Sequence, residues 1–176
     1  MTVKFEVLEK LNEYENRFRD ELESNYIKLL RDIKVTKEEL DDIADCISNI
    51  FKIRETKSLE KKFPLTTSLF LVWSAVYDYK DGDYWSTIFD NLKISNKPKY
   101  QAILGKIFLD TISESKLLSI ENDSGKKYLS PILMHGYICN HYTDSFFDYL
   151  NKVYSILLKY DVSEANIDSI WGDVFE

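Results

Sequence analysis

Over the first 33 residues, apolar side chains recur at every third or fourth position, and this spacing constrains the fold more than any other feature. The positions are Val7, Leu11, Tyr14, Phe18, Leu22, Tyr26, Leu29 and Ile33. Charged residues fill most of the positions between them. Because side chains three or four apart share one face of an α-helix, the sequence predicts one long helix over residues 3–33. Such a helix would be roughly 45 Å long.

An apolar stripe of this length has two interpretations. In the first, the helix packs on the rest of its own domain. In the second, it docks on a partner or on a second copy of the chain, as in a coiled coil. The self-association residues would then be Leu11, Tyr14, Phe18, Leu22 and Tyr26. Coiled-coil seams favour Leu, Ile and Val over aromatic residues, so packing within the domain is the favoured interpretation.

Helix signals continue after this segment. Thr36 and Glu39 have the spacing of a capping box and predict a second helix that runs to about residue 54. The polar residues 54–62 predict a linker or loop, and an internal boundary of the chain would lie there. Residues 65–77 are apolar nearly all round, which is typical of a buried central helix.

Two further helix starts follow. Asp83 precedes a helix predicted over residues 84–92 and can cap it. Pro98 predicts the first turn of a helix that runs to about residue 114. Gly105, inside that second helix, indicates the close approach of a neighbouring helix.

Residues 117–130 have two interpretations. The turn residues at 122–125 suit a short β-hairpin, but two short strands alone are marginally stable, and a loop is the alternative. After this segment, the helical spacing predicts a short helix to about residue 139, a longer helix over residues 144–160 and a last short helix.

Long helices also account for the scarcity of turn residues, since the chain has only five glycines and three prolines in 176 residues. We therefore predict an all-α fold: a single irregular helical bundle of about seven or eight helices with a long N-terminal helix. Residues 1–54 would form an N-terminal helical arm and residues 63–176 a compact helical body, in one folded unit.

The charge balance bears on the partner. The 30 acidic and 23 basic residues give a net charge of −7, and the two signs are interspersed. Proteins that bind duplex nucleic acid usually carry a basic surplus, because they neutralise phosphates. Nucleic acid is therefore a less favoured partner than protein.

The sequence also bears on location. It has no apolar run long enough to cross a bilayer and none that resembles a signal peptide. We therefore expect a cytoplasmic protein with reduced thiols and no membrane contact. Lysine outnumbers arginine, and Ile, Asn and Tyr are abundant, which is typical of an AT-rich bacterial or phage genome.

Residues 128–150 look more like a chemical site than any other stretch. His135 and Cys139 are four apart and would share a helix face, with His141 close behind. These residues suit a Zn²⁺ site or a Cys–His nucleophilic pair, but structural zinc takes four ligands, and no CxxC, HExxH or family signature is present. The favoured interpretation places them in the core, with the histidines bonded to backbone groups. No metal ion, cofactor or catalytic residue is predicted.

Loops that bind phosphate are absent from the sequence, which contains neither GxxxxGK[ST] nor GxGxxG, and no GxSxG elbow. Lysines next to an aromatic ring are present, however. They are Lys97 and Lys99 beside Tyr100, and Lys126 and Lys127 beside Tyr128. Such lysines can contact a nucleic-acid backbone while the ring stacks on a base. Solvated surface lysines are the more common alternative.

Twelve tyrosines and three tryptophans are more than a core of this size needs. Both residue types are enriched at interfaces, where one end of the side chain is apolar and the other polar. Tyr77, Tyr79, Tyr84 and Trp85 surround one predicted turn. These four residues are the candidate partner surface.

Several short motifs carry a resemblance to a known group of proteins. They are Tyr84-Trp85, Gly105-Lys106-Ile107-Phe108, the stretch that contains Pro131, Ile132, Leu133, His135 and Gly136, and Phe146-Phe147. Through them, residues 63–150 resemble the N-terminal helical region of large uncharacterised bacterial proteins, some of them associated with mobile elements or phage defence. This chain has Tyr137-Ile138-Cys139 where that group has Gly-Ile-Pro. The resemblance implies a non-catalytic module of a longer protein or assembly, and it supplies no catalytic residue.

Three functional hypotheses follow. The first is a non-catalytic cytosolic module for protein interaction or regulation, as a subunit or domain of a bacterial phage-defence or mobile-element assembly. The second is a nucleic-acid-associated accessory domain. The third is an enzyme with a site around His135 and His141.

Overall fold

The computed structural model describes residues 2–24, 27–79, 83–119 and 128–136. The chain divides into two compact units, Met1–Ile138 and Cys139–Glu176, and all the described residues belong to the first. The described helices are α1 (Thr2–Ser24), α2 (Lys37–Lys52), α3 (Lys57–Lys62), α4 (Pro64–Asp78), α5 (Tyr84–Leu92), α6 (Pro98–Glu114) and α7 (Leu129–His135), with a 3₁₀ turn at Leu30–Asp32.

The predicted all-α fold is confirmed, because no strand occurs among the described residues. The hairpin predicted near residues 117–130 has no strand at 117–119 or at 128–130. Its central residues, 120–127, lie outside the described part of the chain, as do the helices predicted after residue 139. Within the same described part, no helix has both the length and the apolar character needed to cross a membrane.

Helix α4 is the centre of the first unit. Ten of its 15 residues are buried and they lie on all its sides, so the helix is surrounded rather than laid on a surface. Helices α1, α2, α3, α5, α6 and α7 all contact it. The predicted buried central helix is confirmed, and its nearly uniform apolar character follows from this position.

Local sequence signals set several helix starts as predicted. The Thr36 side chain accepts a hydrogen bond from the Glu39 N–H at 3.2 Å, and the Glu39 carboxylate accepts one from the Thr36 N–H at 2.9 Å. The Asp83 carboxylate accepts from the Trp85 N–H at 3.1 Å and caps α5. Pro98 is the first residue of α6. Each signal joins residues no more than three apart, which is why the sequence alone shows it.

The predicted end of the first helix, at residue 33, is wrong. Helix α1 ends at Ser24, and the backbone around the 3₁₀ turn is extended at Leu29 and Ile33. Distant partners satisfy the backbone there: the Lys28 carbonyl accepts from the Leu118 N–H, and the Leu30 N–H donates to His135. Ile33 of the predicted stripe is buried, but Leu29 is only half-buried and Leu30, which was not on the stripe, is fully buried in its place.

The linker predicted at residues 54–62 is largely helical, because α3 occupies its second half. Leu59 is fully buried, and Lys106 of α6 pairs with Glu60 at 2.6 Å. A single apolar residue in a polar run gives no periodicity, so this helix was not visible in the sequence. The chain's two compact units divide after Ile138, and the division into an N-terminal arm and a helical body stays a prediction.

Helix α4 begins without a side-chain cap of its own, and a distant residue supplies one. Phe63 occupies the cap position and offers no side-chain hydrogen bond. The buried carboxylate of Glu15, from α1, accepts bonds from the Leu65 N–H at 3.3 Å and from the Thr66 N–H and hydroxyl at 2.8 Å each. Arg19 pairs with the same carboxylate at 2.7 Å. Glu15 therefore fastens α1 to the amino end of α4.

The close approach predicted at Gly105 is confirmed. A Cβ atom on this residue would lie 2.6 Å from each of two ring carbons of Tyr128, the residue before α7. Atoms do not pack that closely, so a side chain here must displace the ring.

Gly105→Ala is therefore expected to lower the free energy of unfolding by about 1–3 kcal/mol, net of the higher helix propensity of alanine. Chemical denaturation measures the change. Ser113→Ala, at an exposed position of the same helix, is the control. If the Tyr128 ring is the obstacle, adding Tyr128→Ala to Gly105→Ala should cost less than the two single changes predict together. Strict additivity would contradict the packing argument.

Candidate functional site

His135, the strongest chemical candidate in the sequence, belongs to the core. Its ring is fully buried, and its Nδ1 accepts a hydrogen bond from the Leu30 N–H at 3.0 Å. The proton is therefore on Nε2, which donates to the Leu118 carbonyl at 2.8 Å. Burial lowers the pKa of His135 to about 4, although the hydrogen bond to Leu118 and the nearby Asp32 act in the opposite direction. The neutral ring therefore connects α7 by hydrogen bonds to the 3₁₀ turn and to the segment after α6.

The other members of that candidate site, Cys139 and His141, lie outside the described residues. Within the described part, no group of three or more His, Cys, Asp and Glu residues is placed to hold a metal ion. Cys46 is a buried free thiol, and burial raises its pKa to about 11. A thiol in that state is a weak nucleophile at neutral pH.

The four residues of the candidate partner surface differ in exposure. Tyr84 is 1% exposed, and its hydroxyl donates to the Leu71 carbonyl at 2.9 Å, so its placement at an interface is corrected. Tyr77 is 41% exposed, with its hydroxyl donating to the Val35 carbonyl at 3.0 Å. Tyr79 and Trp85 are half-buried. The rings of both residues pack against that of Tyr84.

The self-association stripe of α1 is covered by the chain's own helices. Leu11 and Phe18 are fully buried, and Tyr14 is half-buried with its hydroxyl donating to Asp42 of α2 at 2.8 Å. Leu22 is half-buried and Tyr26 lies outside the described residues. Packing within the domain accounts for this stripe, and self-association through it stays a prediction.

A cluster that the sequence only partly indicated lies where α2, α5 and α6 meet. It is a cleft of about 750 Å³ that adjoins a second depression of about 430 Å³. We call the two together the basic cleft. Its exposed cations are Lys52, Arg54, Lys93, Lys97 and Lys99, and its rings are Phe51, Phe89 and Tyr100. The acid among its lining residues is Asp90.

Most cations of the basic cleft are unpaired among the described residues, whereas those between α1 and α2 form ion pairs. Between α1 and α2, Lys10 pairs with Asp42 and Arg17 with Glu39. In the basic cleft, Lys93 pairs with Asp45 at 3.1 Å. The other four cations, Lys52, Arg54, Lys97 and Lys99, form no ion pair with a described carboxylate. The basic cleft therefore carries four cations without an ion pair to a described carboxylate, on an acidic chain.

The rings form the floor of the basic cleft. Phe51 and Phe89 are almost fully buried, whereas Tyr100 is half-buried and reaches the surface. The Tyr100 ring meets that of Phe51 edge-on, with centroids 4.9 Å apart, and lies 6.5 Å from that of Phe89. Lys97 and Lys99 place their ammonium groups over this ring, 5.7 and 4.9 Å from its centre. One half-buried ring thus packs beside two buried rings and has two ammonium groups over it.

The sequence indicated this site only where its residues are neighbours in the chain. Lys97, Lys99 and Tyr100 are contiguous enough to be recognised together. Lys52 and Arg54 come from the end of α2, and Lys93 from the end of α5, so the fold alone brings them there. Comparison of the chain with protein-family models, with curated proteins and with solved structures found no match in any of the three.

Proposed function

We propose that this chain is a non-catalytic helical module that binds nucleic acid at the basic cleft. In the context that the resemblance implies, it would be an accessory domain of a cytoplasmic phage-defence or mobile-element assembly. The observation that carries the proposal is the group of unpaired cations around a partly exposed ring. Neutralising phosphates is the main source of affinity for nucleic acids, and a ring beside the cations adds base contact.

Stabilisation of helix ends does not account for all these cations. Lys52, Arg54 and Lys93 lie at the carboxyl ends of α2 and α5, where positive charge is favourable. Lys97 and Lys99, however, lie at the amino end of α6, where the helix dipole opposes a positive charge. These two lysines are therefore placed at a small cost to stability, which supports a role in binding.

Contact with a protein partner is the second candidate function. The exposed side of Tyr77 favours it, and so does Phe5, which is 68% exposed near the start of α1. Nucleic acid ranks above it because the basic cleft combines charge and a ring in one place, whereas Phe5 and Tyr77 are isolated apolar positions.

The double change Lys97→Glu and Lys99→Glu is expected to weaken binding of a labelled oligonucleotide at least tenfold. Fluorescence anisotropy at low ionic strength measures the affinity. Stability should stay equal or rise by a few tenths of a kcal/mol, because acidic residues suit the amino end of α6. With glutamine at both positions, the slope of log affinity against log salt should become shallower by roughly 1.5.

The matched control is Lys61→Glu with Lys62→Glu, which makes the same charge change on exposed lysines of α3 outside the basic cleft. Equal losses in both double variants would mean that only net charge matters, and would contradict the proposed site. Absence of oligonucleotide binding by the unaltered chain at low salt would contradict the proposed function itself.

A further inference from the structure

We infer that the nucleic acid bound by the basic cleft is single-stranded, and that Tyr100 is the platform on which one of its bases stacks. This inference rests on the proposed function and adds the form of the ligand and the residue that reads it. Its support is the pair of adjoining depressions, the partial exposure of one ring and the distribution of the cations.

The two depressions of the basic cleft adjoin at Tyr100. They share four lining residues: Phe51, Arg54, Lys97 and Tyr100. An opening that extends beyond the ring into both depressions suits an extended chain better than a single phosphate, which needs only a small closed pocket.

Cations line both depressions of the basic cleft. Lys52 and Lys93 line the first depression, Lys99 lines the second, and Arg54 and Lys97 line both. A strand lying in the basic cleft would therefore have a cation within reach of its phosphates on each side of Tyr100. This is the arrangement by which proteins bind single strands: positive charge follows the backbone, and rings receive the bases.

The Tyr100 ring is restrained before any ligand arrives. Its contacts with Phe51 and Phe89 limit its motion, so little rotamer freedom is lost when a base takes the place of the ammonium groups over the ring. In a duplex, the faces of the bases are covered by their neighbours, so a protein ring reaches one only by insertion or base flipping. A single strand offers those faces directly, and an acidic or phosphorylated peptide without aromatic residues has none to offer.

The experiment compares five probes on the intact chain by fluorescence anisotropy. They are a mixed-sequence single strand, the same strand with abasic sites throughout, the corresponding duplex, a phosphoserine peptide of similar charge and vesicles of anionic lipid. We expect the single strand to bind about tenfold more tightly than the abasic strand, because stacking of a base contributes at this level. The duplex, peptide and vesicles should bind no better than the abasic strand.

Two substitutions identify the ring. Tyr100→Leu should reduce the affinity for the single strand about tenfold and leave the affinity for the abasic strand unchanged. Tyr100→Phe keeps the aromatic face and should bind as the unaltered chain does. Thermal unfolding of both variants shows that they are folded. The abasic comparison needs no variant, so the inference stays testable even if Tyr100→Leu fails to fold.

The outcomes separate the inference from the proposed function. Equal binding of the single strand, abasic strand and duplex would overturn stacking while leaving nucleic-acid binding intact. Peptide or vesicle binding as tight as that of the single strand would overturn both and identify that class as the ligand. No binding by any probe would also overturn both.

Discussion

Glu15→Gln is expected to lower the free energy of unfolding by about 3 kcal/mol, because the carboxylate is the cap of a helix to which it does not belong. Glu15 is 2% exposed, and its two oxygens accept bonds from two backbone N–H groups and a hydroxyl at the start of α4. Glutamine has one acceptor oxygen and turns an NH₂ group towards the remaining donors. At least one buried donor then loses its partner, and the favourable negative charge at the helix start is lost.

Urea denaturation at neutral pH measures this change, with Glu13→Gln as the matched control on the exposed face of the same helix. The control should change stability by no more than about 0.5 kcal/mol. Arg19→Ala should cost at most about 1 kcal/mol, because the arginine side chain is half-exposed and its ion pair is screened by water. If Glu15→Gln and Glu13→Gln were equally stable, Glu15 would not be the cap of α4.

Glu15 also shows which parts of this fold the sequence could predict. The starts of α2, α5 and α6 follow from Thr36, Asp83 and Pro98, each of which acts within its own first turn. Glu15 acts on residues 50 and 51 positions away. Nothing distinguishes it in the sequence from the other acids of α1, because its role depends on which helix lies beside it.

The same distinction explains how α1 was predicted too long. The apolar residues at 29 and 33 continue the spacing of α1, and apolar spacing alone does not show where a helix ends. The end is set by hydrogen bonds with distant residues: Leu118 donates to the Lys28 carbonyl, and His135 accepts from the Leu30 N–H. Candidate sites follow the same rule: Lys97, Lys99 and Tyr100 were visible as neighbours, and Arg54 joins them only because the end of α2 packs against the start of α6 through Phe51 and Tyr100.

The stability of the first unit is expected to fall as pH decreases from about 6.5 to about 4, because His135 is buried in its neutral form. Its pKa is lowered by burial from 6.5 to about 4 in the folded protein. Between these values the unfolded chain binds a proton that the folded chain does not, so stability is fully present above pH 6.5 and is lost as the pH falls. The loss attributable to this ring should reach about 3 kcal/mol at pH 4.

The geometry explains why the folded state resists the proton. Nδ1 already accepts from the Leu30 N–H, so a proton there would place two N–H groups face to face and break the bond. Asp32 is close enough to favour the charged ring, and the bond to Leu118 also favours it, but burial of the ring outweighs both. Protonation therefore breaks the hydrogen bond between α7 and the 3₁₀ turn, whereas the bond from α7 to the segment after α6 remains.

Carboxylates also titrate in the lower part of this range, so the measurement compares variants rather than a single pH profile. Free energies of unfolding from urea denaturation are taken between about pH 7.5 and pH 4.5 for the unaltered chain and for His135→Gln. His135→Gln should be less stable at pH 7.5 by about 2–4 kcal/mol and should lose less stability on acidification. If His135→Gln and the unaltered chain had parallel profiles, the buried neutral state of His135 would not be the cause.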